Sequence, residues 1–257
     1  MGATPTVRCI GCSVRLYRGV GLRCDDCDDQ GLYCVPCCME AHLRHPLHRI
    51  QRWSGDNFVV VPLRKLGLRV QLGHPTGVRC TNAIPSIDEL FVVLDLTGVH
   101  TISVDFCGCE GAVPFDVQVV RQRWFPATTV EPRTAATFRL LEHVHALRVS
   151  DRLPVSLSDY YQCLVRLTDN SGINVPPDRL PAFVAMVNEW MRVKTLKRAG
   201  VGHEGSDVAA TPLSGCAIDC PACPQPGKNM SDYEERDNER YAVLLYDAID
   251  YALTDMF

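Results

Sequence analysis

Three Cys-x2-Cys pairs and a run of evenly spaced histidines follow one another between residues 9 and 48. They are Cys9 and Cys12, Cys24 and Cys27, Cys34 and Cys37, then His42, His45 and His48. Two cysteines at this spacing can grip one ion from a single tight turn, and thiolate and imidazole are the donors Zn²⁺ prefers. Four half-sites in succession suffice for two complete tetrahedral sites. The chain holds 14 cysteines in 257 residues, and a disulfide framework would need an oxidising compartment. The start, Met1-Gly2-Ala3-Thr4-Pro5-Thr6, carries no apolar leader. No run of eighteen apolar residues is present either, so no span of a membrane is expected. Metal binding is the expected work of the paired cysteines.

The order of the pairs resembles ZZ-type and B-box zinc modules, whose ligand pairs interleave in a cross-brace. Carried over by position, the resemblance implies that Cys9, Cys12, Cys34 and Cys37 hold one ion. It implies that Cys24, Cys27 and two of the three histidines hold the other. His45 and His48 are the preferred pair and His42 is the alternative. A RING finger fits less well, because its last ligand pair is Cys-x2-Cys.

Net charge is −4 but unevenly spread. From Ser231 onward eight acidic residues face two arginines, which leaves the first 230 residues with 24 basic and 22 acidic groups. A body so weakly basic can bind nucleic acid only through local patches. The strongest runs through the histidines and beyond: Arg44, Arg49, Arg52, Arg64 and Lys65. Such a patch could lie along phosphates, and the competing reading is a solvated surface.

Asn57 to Pro62 and Gly67 to Leu72 read as strands. The second puts Leu68, Val70 and Leu72 on one face. Leu90 to Leu96 and Val99 to Phe106 read as a hairpin about Thr97-Gly98, with glycine supplying a positive φ. Pairing Leu96 with Val99 sets Cys107 opposite Asp88. Cys107 and Cys109 then sit at the hairpin's open end, where His74 and Cys80 arrive, so these four can close a third site. His100 is a substitute ligand or a packed histidine.

Val117 to Val120 reads as a strand, and Thr134 as the N-cap of a helix through Arg148. His143 and His145, two apart on that helix, face different ways and cannot share a metal. A second helix starts at Ser156 or Ser158 and runs to about Thr168, with Cys163 in the core. A third spans about Pro177 to Ala199, with an apolar stripe of Leu180, Phe183, Val184, Val187, Trp190 and Met191. Lys194, Lys197 and Arg198 crowd its end, where they suit the helix dipole and form a second candidate for phosphate contact. Cys220-Pro221-Ala222-Cys223 is a further half-site, for which His203 and Cys216 are the nearest additional ligands.

Taken in order, these stretches resemble the CxC type 2 cysteine-cluster region that accompanies KDZ (Kyakuja, Dileera and Zisupton) transposases. The resemblance runs from about Arg23 to Asp250. It rests on RCDDC, CVPCC, HPLHRIQRW, LGLRVQLGHPTGVRC and the hairpin ending DFCGCE. It continues through RWFPATTVEPRTAATFRLLEH, RLTDNSG, EWMRVKTLKRAGVGH and CPACPQPGKN. It supports the site of His74, Cys80, Cys107 and Cys109 and the ligands Cys220 and Cys223. In relatives a catalytic domain follows, thought to hold divalent metal on several carboxylates. Here the similarity breaks at Tyr251 after Asp250, so a truncated element or partial gene product without catalytic activity is expected.

The expected fold is α+β. A ZZ/B-box-like two-zinc module over residues 1–53 precedes a hairpin-rich cysteine-cluster domain over 54–170. A helix and zinc knuckle follow over 171–230, then an acidic C-terminal helix over 231–257. About four structural Zn²⁺ ions are expected. The expected function is that of a non-catalytic accessory region recognising DNA or chromatin in the nucleus, alongside a transposase catalytic subunit. The alternative is a zinc-scaffolded module that binds a peptide or protein. No acid or base is paired with a three-ligand site, which argues against a metalloenzyme.

Overall fold

The structure, a computed structural model, describes residues 7–16, 21–29, 31–87, 90–149 and 156–200. The chain divides into a unit of Met1–Val193 and a second from Lys194, of which only the end of one helix is described. The architecture below is that of the first unit.

Near the N-terminus β1 (Leu22–Cys24) pairs antiparallel with β2 (Ile50–Trp53), which pairs antiparallel with β3 (Phe58–Val60). Between β1 and β2 in the chain lies α1 (Val35–Ala41). Cys34 is its N-cap and proline sits in the first turn, where a missing N–H breaks no helical bond. The apolar core here is small, made of Leu22, Cys24, Cys38, Ile50, Leu63 and Leu68. Strands of three and four residues around so few side chains fall short of independent stability. Something besides apolar burial has to hold this part together.

The main sheet contains β4 (Arg69–Gln71), β5 (Ala83–Pro85), β6 (Phe91–Asp95), β7 (Gly98–Cys107), β8 (Trp124–Pro126) and β9 (Thr134–Thr137). Its order is β4-β7-β6-β9-β8, with β5 also on β7. Every residue of β6 is buried, because both faces are covered. Side chains alternate between the faces. Val92 and Leu94 join one cluster and Phe91 and Val93 the other. The first cluster is closed by α3 (Phe138–Val149), α4 (Leu157–Thr168) and α5 (Leu180–Arg198) through Leu141, Tyr161, Leu164, Phe183 and Trp190. Each large side chain fully buried here contributes about 1.5–3 kcal/mol. The second cluster is covered by Leu47 and by Val119 of α2 (Phe115–Arg121).

Several expectations are corrected. The hairpin register is two residues away from that expected: Leu94 pairs with Val99 and Asp95 with Gly98, so Leu96 and Thr97 form the turn. Thr137 and Thr97 hold the Asp95 carboxylate at 2.6 and 3.0 Å, which keeps Asp95 inside the strand. Gly98 carries φ +135°, and a Cβ there would lie 2.5 Å from Thr168 Oγ1. Cys107 lies beyond the β6 pairing and sits opposite Ala83 of β5 instead. Residues 117–120 are helical, not extended. A strand would bury alternate valines, whereas α2 buries Gln118 and Val119 and leaves Val120 exposed. Thr134 does not start α3. Residues 134–137 are a buried strand parallel to β6, and Thr137 Oγ1 accepts the Leu140 N–H as the helix begins. Cys163 is exposed rather than in the core.

Candidate metal centres

None of the described cysteines is disulfide-bonded. Among the described residues three groups of four cysteines and histidines have their donor atoms within 4.8 Å of one another.

Cys9, Cys12, Cys34 and Cys37 form the first. The N-terminal pair lies on a tight turn. Ser13 N–H donates to Cys9 O at 2.8 Å and Cys9 N–H to Val14 O at 2.9 Å, with Ser13 at φ +60°. The second pair comes from the N-cap and first turn of α1. Cys12 and Cys34 sulfurs are 3.7 Å apart, and four sulfurs bound tetrahedrally at about 2.3 Å would lie about 3.8 Å apart. Burial resists charging Cys9, but N–H groups of Cys34, Cys12 and Gly11 outweigh it and bring its pKa down to about 6. The Cys37 N–H draws Cys34 downward, yet burial and the sulfurs of Cys9 and Cys12 move it upward on balance. Cys37 moves upward through its sulfur contacts with Cys34 and Cys12. Second and third thiolates crowded beside a first need a cation.

Cys24, Cys27, His42 and His48 form the second. Cys24 and Cys27 Sγ each lie 3.4 Å from His48 Nδ1, and Cys27 Sγ lies 3.5 Å from His42 Nε2. Sulfur and nitrogen on one tetrahedral ion would be about 3.6 Å apart. His42 ends α1, and its Nδ1–H donates to the Cys38 carbonyl at 2.7 Å. That bond leaves the Nε2 lone pair free to face the cysteines, an arrangement common to metal-ligating histidines. His45, expected as the partner of His48, is outside the group. Its ring stacks on His48 with centroids 4.8 Å apart and is exposed. The helix end decides this, since a turn of helix carries His42 inward.

His74, Cys80, Cys107 and Cys109 form the third. Cys80 Sγ lies 3.8 Å from Cys107 Sγ and 3.4 Å from Cys109 Sγ, and His74 Nε2 lies 3.8 Å from Cys109 Sγ. Burial opposes ionising Cys80, but a hydrogen bond from Cys109 and the Asn82 N–H bring its pKa down to about 7. Cys109 is pushed up to about 11 by its bonds to Cys80 and Cys107. Two residues not singled out from the sequence position this group. Buried Gln118 accepts the Cys107 N–H at 2.8 Å and donates to the Cys107 and Val113 carbonyls at 3.0 and 2.8 Å. Gln71 accepts the Cys80 N–H at 3.3 Å. A lone glutamine among the valines of a short helix was the available signal. Gly73 has φ +76°, and a Cβ there would come within 2.6 Å of Cys107 Cβ.

The expected fourth group, His203, Cys216, Cys220 and Cys223, lies outside the described residues. His100 joins no group; it pairs with Thr97 Oγ1 at 2.8 Å. Among the cations, Arg49 is taken up by Asp26 at 2.6 and 3.1 Å. Burial would raise the Asp26 pKa, but Arg49 holds it below the ordinary carboxylate value. Arg44, Arg52, Lys65, Lys197 and Arg198 are exposed, and Arg64 and Lys194 are half-buried.

In each group four protein donors converge, so the donor sets are closed. Sulfur-rich tetrahedral sets of this kind suit zinc-type ions and not the oxygen-seeking Mg²⁺ or Ca²⁺. No helix among the described residues is long and apolar enough to cross a membrane.

No curated protein and no solved structure matches the chain. A family model does match, over residues 63–172, a narrower span than the Arg23 to Asp250 resemblance drawn from the sequence. The third group and the sheet that positions it thus fall within the segment matched by the family described as CxC2 like cysteine cluster associated with KDZ transposases, residues 63–172.

Proposed function

We propose that this chain is a zinc-scaffolded, non-catalytic region of a KDZ-type transposase that recognises DNA or chromatin in the nucleus. One observation carries the scaffold reading: three closed four-donor groups, two of them holding a part of the chain whose apolar core is too small to stand alone. Zn²⁺ suits them because it accepts four thiolates, or thiolates mixed with one or two imidazoles, at tetrahedral geometry without redox chemistry. The interleaving of the first two groups supports a ZZ/B-box-like module ahead of the matched segment. Four protein donors leave no open position for water, which favours structural over catalytic metal. The family's association with transposases, together with the exposed cations around the second group, favours nucleic acid as the partner.

Fluorescence anisotropy of a generic duplex, with zinc-loaded and chelator-stripped protein at low and moderate salt, tests this. Binding that needs zinc and falls steeply with salt is expected. No binding in either state would sink the nucleic-acid reading. The second reading, a protein-interaction module, is favoured by edge strand β3, where Val59 and Val60 are 49% and 60% exposed. An exposed edge of this kind can add a strand from a partner.

A further inference from the structure

A cleft of about 260 Å³ opens beside the second metal group, within the first unit. Its walls come from three distant segments: Arg44 to His48, Gln122 to Trp124, and Thr137 to Arg139. Arg44, Arg123 and Arg139 stand on its rim, all exposed, and no carboxylate lines it. Arg44 and Arg123 have no carboxylate partner among the described residues. Arg139 reaches buried Asp95 only at 3.3 Å, and its side chain is 69% exposed. The start of α3, a twelve-residue helix with no acidic residue in its first turn, also faces the cleft through Phe138 and Arg139. Buried Asp95, which accepts from Thr137 Oγ1 at 2.6 Å, offsets part of the positive end of that helix dipole, so the cleft's positive charge rests on the three arginines. The neighbouring metal group does not quench this charge. A dication held by two thiolates and two neutral imidazoles is close to neutral, whereas four thiolates leave about −2.

We propose that this cleft receives a backbone phosphate of a nucleic-acid strand, held by Arg44, Arg123 and Arg139. Guanidinium groups suit phosphate oxygens because they offer paired N–H donors in a fixed plane. Trp124 is buried in the wall and Pro46 and Leu47 are buried beside it, so the cleft's polar chemistry is that of its guanidinium groups, with the exposed His45 ring at its edge. The proposal rests on the nucleic-acid reading above and names the residues that serve it, Arg44, Arg123 and Arg139 rather than Lys194, Lys197 and Arg198.

The test compares zinc-loaded full chain, the double variant Arg44→Gln/Arg123→Gln, and the control Lys194→Gln/Lys197→Gln on one duplex across a salt series. Loss of one phosphate contact makes the log Kd against log salt plot shallower by about one, and low-salt affinity about tenfold weaker. That change is expected in the Arg double variant and not in the control. Wild-type protein that fails to bind duplex overturns both the cleft and the nucleic-acid reading. Wild-type binding with a slope altered only in the control, or in neither variant, overturns the cleft and leaves that reading standing. Metal content equal to wild type verifies the fold; should the double variant lose metal, Arg44→Gln alone carries the same comparison.

Discussion

His42 donates its Nδ1 proton to the carbonyl oxygen of Cys38 at 2.7 Å, which turns Nε2 toward Cys27 Sγ, 3.5 Å away. The same α1 turn that buries Cys38 in the small N-terminal core thus orients a metal donor. Fold and site are coupled through one peptide group.

His42→Ala should therefore remove one metal equivalent from the purified protein, or weaken that site at least ~100-fold in a competition with a chromophoric chelator. His45→Ala should leave the metal content unchanged. Equal loss in both variants would show that the three histidines share the ion.

Cysteine substitutions should divide in the same way. Cys27→Ser leaves the second group with three donors, and the N-terminal sheet, with few apolar contacts of its own, should lose its cooperative unfolding transition in circular dichroism. Cys163→Ser sits on the exposed side of α4 and should change stability by no more than about 0.5 kcal/mol. EDTA on wild-type protein should reproduce the Cys27→Ser result, since structural zinc binding contributes about 10–16 kcal/mol per site in isolated fingers.

Gln118 touches no ion, yet it bonds both the N–H and the C=O of Cys107. Gln118→Leu keeps the volume and strands two buried backbone groups, at a cost of about 1–3 kcal/mol. Denaturant midpoints should fall accordingly, and cobalt substitution should show the third group weakened about 10–100-fold with the other two intact.

Burial pushes the His100 imidazole down to about 4, more strongly than Asp95 raises it. A histidine held neutral in the fold but titrating near 6.5 when unfolded takes up its proton preferentially in the unfolded chain. Its destabilising effect is absent above about pH 7 and grows as pH falls from about 6.5 toward 4. Zinc-loaded wild type should lose about 1–2 kcal/mol more than His100→Gln between pH 7 and pH 5 in urea unfolding. Parallel losses in the two proteins would remove His100 from the acid response.

Much of the local chemistry was legible in residue order. Cys-x2-Cys spacing marks a turn that can present two sulfurs to one ion, and this depends on a few neighbouring residues only. Hydrophobic spacing likewise announced α5, and a serine at the start of α4 announced that helix, because both signals lie within one segment. The alternation of Leu68, Val70 and Leu72 marked the face that β4 buries. The segments where the reading went astray are those where distant packing overrides local preference. Val117 to Val120 favours a strand in isolation, and becomes helix because Gln118 and Val119 face Cys107 and the sheet. Thr134 to Thr137 could cap a helix, and instead fills the slot beside β6.

By itself, then, the order of residues determined which side chains can bind metal and how they pair at short range, since ligand spacing and turn geometry are local properties. Only the tertiary structure decided which histidine completes the second group, how the hairpin register delivers Cys107, and that Arg44, Arg123 and Arg139 share one cleft. Each of these depends on surfaces brought together by burial, across separations in the chain that no local pattern records.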